Sequence, residues 1–180
     1  MRSGPPSTDI NGAYLYVVCR FYLIIYRSLG GNNVTKIQNE LIRVIPLGGV
    51  GEVGKSMYVV EIDDELFIMD SGLMFPENEM LGIDIVIPDM TYLEENKDRV
   101  KGIFLTHGHE DAIGSIAYLL QKVQAPVYGT KLTLALAKEH LKKMPAPSNV
   151  RFFEVTNRSR MNFKRTHVTF FYTTHSIHES

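Results

Sequence analysis

The chain has 180 residues, a hydrophobic fraction of 44% and a formal net charge of −1, with 19 Lys+Arg against 20 Asp+Glu. That is enough apolar sequence for one globular core, and the balanced charge gives no electrostatic argument for binding nucleic acid. A single cysteine, Cys19, excludes an internal disulfide framework and fits a reducing compartment such as the cytoplasm.

The first 33 residues begin with a Pro/Ser/Gly-rich stretch, followed by an apolar run over residues 13–26 that Arg20 interrupts. A helix needs ~20 predominantly apolar residues to span a bilayer, so this run is too short. Its internal charge and the absence of a small-residue cleavage site also make it a poor signal sequence. Residues 1–33 are read as an unrelated, poorly ordered leader that is β-prone and sticky, with native-like sequence starting near Val34.

Short strands and turns alternate from there to about residue 70. The stretch Gly49-Val-Gly-Glu-Val-Gly-Lys-Ser56 satisfies the phosphate-loop pattern, but that mechanism requires a helix to start at the Lys-Ser. Instead the chain continues with Met57-Tyr-Val-Val-Glu-Ile62, then Asp63-Asp64 and the strand Glu65-Leu-Phe-Ile-Met-Asp70, which reads as a β-hairpin. No nucleotide site is assigned, and for Lys55 a solvent-facing turn lysine is at least as good a reading as a functional one. Asp70 ends its strand, and Ser71-Gly72 turns the chain.

A loop with Pro76 and Pro88 leads to a short helical turn over residues 92–98 and a strand over 100–106. Next comes the most informative stretch, Thr106-His-Gly-His-Glu-Asp-Ala-Ile-Gly114. Residues i and i+2 at an extended strand end point the same way, so His107 and His109 can reach one cation, and Asp111 lies close enough to serve a neighbouring one. Neutral imidazole and carboxylate suit a borderline cation such as Zn²⁺, and three protein ligands leave a position open for water.

A helix is expected over residues 112–123, then a strand over 126–128. Thr130 caps a second helix through about Lys143, with Leu132, Leu136 and His140/Leu141 at helical spacing and Pro145 and Pro147 beyond it. Strands are expected near 150–155 and 166–173. His175 follows the β-rich run Phe170-Phe-Tyr-Thr-Thr174 and so sits at a second strand end. His140 and His167 are read as surface or packing residues. Lys142-Lys143 and the scattered Arg151, Arg158, Arg160, Lys164 and Arg165 read as solvated charge.

The motif resembles that of the metallo-β-lactamase superfamily, His-X-His-X-Asp-His between strand and helix, with Ala112 where the final His stands. Residues 46–58, 69–76, 80–89 and the Thr173-Thr-His-Ser-Ile177 segment are further similar to the amino-terminal part of the ribonuclease J (β-CASP) family. The resemblance covers roughly residues 34–180.

It implies the first half of an αββα sandwich, with mixed β-sheets and outer helices, the partner sheet missing and apolar strands left exposed. Residues 34–180 would be a partial domain, without β-CASP or carboxy-terminal domains. It further implies a zinc-dependent hydrolase that cuts RNA phosphodiesters, acting as endonuclease and 5′-to-3′ exonuclease. Homo-oligomers or an RNA-degradation complex belong to the full-length family.

By this resemblance His107, His109 and His175 bind the first metal, Asp111 the second, and Asp111 and His109 are the catalytic residues. Asp70 supports the metal loop from behind. The family binds two zinc ions; here Ala112 removes a ligand, and a bridging Asp and a distant His have no counterpart before Ser180, so at most one fits. Two other readings stand beside this one, a non-catalytic metal- or partner-binding remnant and a small-substrate hydrolase of thioester or lactam type.

Overall fold

The computed structural model describes residues 14–19, 21–27, 42–76, 82–142, 144, 147, 149–164 and 166–180. Its strands are β1 (Tyr14–Cys19), β2 (Phe21–Arg27), β3 (Ile42–Gly48), β4 (Met57–Ile62), β5 (Glu65–Met69), β6 (Val100–Phe104), β7 (Val127–Gly129), β8 (Phe152–Glu154), β9 (Arg160–Asn162) and β10 (Thr166–Phe170). The helices are α1 (Thr91–Glu95), α2 (Glu110–Ile113), α3 (Ile116–Lys122) and α4 (Lys131–Lys142), with a 3-10 turn at Lys97–Arg99.

A six-stranded sheet runs in the order β3-β4-β5-β6-β7-β8. The pairs β3/β4 and β4/β5 are antiparallel, and the expected 57–70 hairpin forms with Ile62 opposite Glu65. From β5 onward neighbours are parallel, joined by helical crossovers. Because side chains alternate along a strand, each face gathers its own core. Leu66 and Ile68 join Met57, Val59, Ile103 and Leu105 under the helices, with Ile113, Ile116, Leu119 and Leu120 packed onto them. Phe67 and Met69 face the other way with Val60, Ile62 and Phe104.

That second face is covered. A four-stranded sheet, β1-β2-β10-β9, supplies Val168 with partly buried Met161, Phe163 and Phe170, and the Phe163 ring meets Phe67 edge-on at 5.1 Å. Sequence reasoning expected the partner sheet to be missing and its strands bare. The difference arises from pairing that no local pattern announces: β10 pairs with β9 on one side and with β2 on the other, Thr166 opposite Arg27 and Phe170 opposite Leu23. Within the expected leader, β1 and β2 pair as an antiparallel hairpin with Tyr14 opposite Tyr26. The remainder of the expected leader, together with Lys143, Pro145 and Arg165, lies outside the described residues.

The helix expected over 112–123 is two helices, broken at Gly114 and Ser115. Buried Ile116, Ala117, Leu119 and Leu120 give α3 its apolar face. Away from the metal loop, Glu61 of β4 is buried and accepts from Arg43 (2.5 Å), Arg99 and Tyr92 (3.1 Å). Burial alone would push its pKa up; these partners outweigh that and hold it below the ordinary value. Among the described residues no helix is long and apolar enough to cross a membrane.

Candidate metal centre

Parallel β5 and β6 open their carboxyl ends at the same edge, so the loops leaving them meet there. Asp70, directly after β5, has φ 61°, a left-handed conformation that costs a non-glycine residue energy and must be held by its surroundings. Its N–H donates to Phe104 O (2.9 Å), and its Oδ1 accepts from the Thr106 N–H (2.8 Å) and hydroxyl (2.9 Å). The Thr106 hydroxyl also lies 2.9 Å from His107 Nδ1. Asp70 therefore reaches the first histidine through Thr106. Burial, opposed by the Thr106 hydrogen bonds and aided by the Asp111 carboxylate, pushes the Asp70 carboxyl up to about 7.

Three backbone bonds clamp the metal loop from below. The N–H groups of Ser71, Leu73 and Ser56 donate to the carbonyls of Ala112 (2.7 Å), Glu110 (2.9 Å) and Asp111 (3.0 Å). Gly72 passes so close that a Cβ there would sit 1.7 Å from Asp111 O, which excludes any side chain. Ser71 Oγ and Ser115 Oγ meet at 2.9 Å in the interior, fixing the break between α2 and α3. The glycine-rich phosphate-loop lookalike thus runs into β4 and supports the metal loop through Ser56. Sequence reasoning missed Ser56, Ser71 and Gly72 in this role, and the one available signal was the Ser-Gly pair directly after a strand-ending Asp.

The structure brings His107, His109 and His175 together, with one ring nitrogen from each within 4.8 Å of the others. His109 Nδ1 and His175 Nε2 are 3.1 Å apart. In tetrahedral zinc coordination, with Zn–N near 2.0–2.1 Å, neighbouring nitrogens stand roughly 3.3 Å apart, so the spacing suits a shared cation. Since His107 Nδ1 faces Thr106, its Nε2 is the nitrogen left for a metal. Asp111 Oδ1 lies 3.5 Å from that Nε2, is buried, and accepts no hydrogen bond among the described residues. Three imidazoles with such an oxygen beside them fit a divalent cation.

Ala112 is completely buried in the helix-side core and offers no donor atom. His178 is exposed and does not join the triad. His167 stands in β10 with its Nδ1 2.6 Å from Asn162 Oδ1. His140, read as a surface or packing residue, places Nε2 3.4 Å from Glu110 Oε1, against the metal loop itself.

Among solved structures, the Rm3 metallo-beta-lactamase aligns at 22% identity and TM-score 0.43, covering 70% of this chain and 49% of that one. Closer in sequence is the Ribonuclease J 2 of Staphylococcus saprophyticus, 60% identical over 148 residues and 82% of this chain. The Ribonuclease J 2 of Staphylococcus aureus matches at the same identity and coverage. The chain spans 27% of the length of these relatives. Residues 50–178 match the metallo-beta-lactamase superfamily, a stretch that carries the glycine-rich turn, Asp70 and all three histidines. The chain belongs to the metallo-beta-lactamase superfamily.

Proposed function

We propose that this chain is the metal-binding part of a ribonuclease J-like RNA phosphodiester hydrolase, with one zinc ion held by His107 Nε2, His109 Nδ1 and His175 Nε2, and that the chain by itself has low or no activity. The observation that carries the reading is the convergence of three imidazoles from two strand ends, in a chain 60% identical to proteins named Ribonuclease J 2. A zinc ion in such a site supplies Lewis acidity and lowers the pKa of a bound water.

The chain's own groups prepare that site. Asp70 and Thr106 hold His107 with Nε2 directed inward. Asp111 Oδ1, the buried oxygen beside that nitrogen, is the acceptor positioned to take a proton from an attacking water. A second cation has no comparable set of ligands among the described residues, because Ala112 presents a methyl group to the apolar core. RNA as substrate rests on the name of the relatives, while the cytoplasm as compartment and oligomers or RNA-degradation complexes as context rest on the family resemblance alone.

Ala112 favours a second reading, metal binding without hydrolysis. Incubating labelled single-stranded RNA with the zinc-loaded chain separates the two. The hydrolase reading expects slow cleavage at most from the parent chain, none from His107→Ala, and measurable cleavage from Ala112→His. No cleavage by either form supports the non-catalytic reading, and hydrolysis of a thioester or lactam without RNA cleavage would move the chain to the small-substrate enzymes.

A further inference from the structure

Helix α4 touches both segments that carry the histidines, one at its amino-terminal end and the other along its side. At its amino-terminal end the N–H of Leu132, left without a partner inside the helix, donates to Glu179 Oε2 at 2.8 Å. One turn on, Leu136 lies against Gly108, where a Cβ would come within 2.5 Å of Leu136 Cδ1 and 3.3 Å of Ile177 Cδ1. A further turn on, His140 Nε2 lies 3.4 Å from Glu110 Oε1. Residues 136 and 140 are i and i+4, so their side-chain contacts share one side of the helix, while the Leu132 N–H meets Glu179 at the helix end.

The segment bearing His175 is a closed loop. The Thr173 N–H donates to Ser180 O (2.9 Å), and the Ser180 hydroxyl donates to Ile177 O (2.8 Å). Glu179 belongs to this loop, has the left-handed φ of 60°, and its carboxylate meets the helix end. A carboxylate is the favoured charge there, since the helix dipole is positive at its amino terminus.

We infer that α4 is a splint between the two ligand-bearing segments and that Glu179 is a positioning residue for His175, fixing the loop of the third histidine to the helix that also packs on the loop of His107 and His109. The inference rests on the reading of the triad as a metal site. Lost anchoring by a residue that orients a ligand typically costs 10–100-fold in metal affinity.

The test measures Co²⁺ binding, its visible absorption spectrum and amide hydrogen exchange on the whole chain and on Glu179→Ala, Glu179→Gln and Glu139→Gln. Glu139 serves as control because it is exposed on α4 and pairs with Lys142. Glu179→Ala should weaken Co²⁺ binding about tenfold, reduce the His175 contribution to the spectrum, and speed exchange at the Leu132 and Thr173 amides. Glu179→Gln, which keeps an acceptor oxygen, should recover most of both, and Glu139→Gln should change neither. Unchanged affinity, spectrum and exchange in Glu179→Ala would overturn the splint, while His175→Ala still lowering affinity would leave the metal site standing. If the parent chain binds no Co²⁺, the metal reading fails, and exchange at Leu132 and Thr173 alone decides whether Glu179 anchors the loop.

Discussion

The two segments that supply the histidines are held in different ways. The loop carrying His107 and His109 is fixed by backbone bonds to Ala112, Glu110 and Asp111 carbonyls, by the Asp70 carboxylate on Thr106, and by a glycine too close to the loop to bear a side chain. The segment carrying His175 closes on itself and meets the rest through the exposed Glu179 carboxylate and Ile177. One half of the site is built into the parallel sheet; the other is docked onto it. Changes beneath the first loop should therefore cost folding stability, whereas changes at the second should cost metal affinity and leave the fold intact.

The largest expected effect is Gly72→Ala. With its Cβ 1.7 Å from Asp111 O and 2.7 Å from Ser56 N, the backbone must move, costing about 3 kcal/mol in denaturant unfolding and weakening metal binding as well. A change under about 1 kcal/mol would show that the turn yields and that the first loop is less rigid than its bonds indicate. Next is Asp70→Ala, which strips the acceptor from the Thr106 N–H and hydroxyl; about 2 kcal/mol should be lost.

Without metal, Asp70 also predicts a pH dependence. Its folded pKa, about 7, lies above the ordinary 3.8, so the folded chain holds this proton more tightly than the unfolded chain. Its contribution is fully present below about pH 3.8 and is lost as pH rises through 7. Glu61 has the opposite sign, because its lowered pKa gives stability above the ordinary 4.5 that is lost as pH falls through the folded value. Unfolding between about pH 4 and 7 should show the Asp70 slope, and Asp70→Asn should flatten it while leaving the Glu61 acid limb in place. The smallest effect is expected for Gly108→Ala, where the obstructing atom is the end of the flexible Leu136 side chain; about 0.5 kcal/mol should be lost.

The first loop was also the legible half. Histidines at i and i+2 after an apolar strand and before a helix announce their geometry locally, as do the alternation over 57–69 and the 3.6-residue spacing of α4. Elements whose cause is distant were not legible. β9 has three residues, too few for a pattern, and exists because β10 pairs with it. The break at Gly114 and Ser115 depends on Ser71, 44 residues earlier in the chain. That Glu179 reaches Leu132 N, across 47 residues, is equally invisible along the chain. The pairing of β2 with β10 joins the ends of the described sequence and leaves no trace in either strand's composition.

Whether His107, His109 and His175 form one metal site is decided by zinc stoichiometry on the purified chain and on His107→Ala, His109→Ala and His175→Ala variants of equal secondary structure. One zinc per chain is expected, with affinity falling at least about tenfold in each variant. Zinc retained at full affinity when His175 is replaced would refute the shared site.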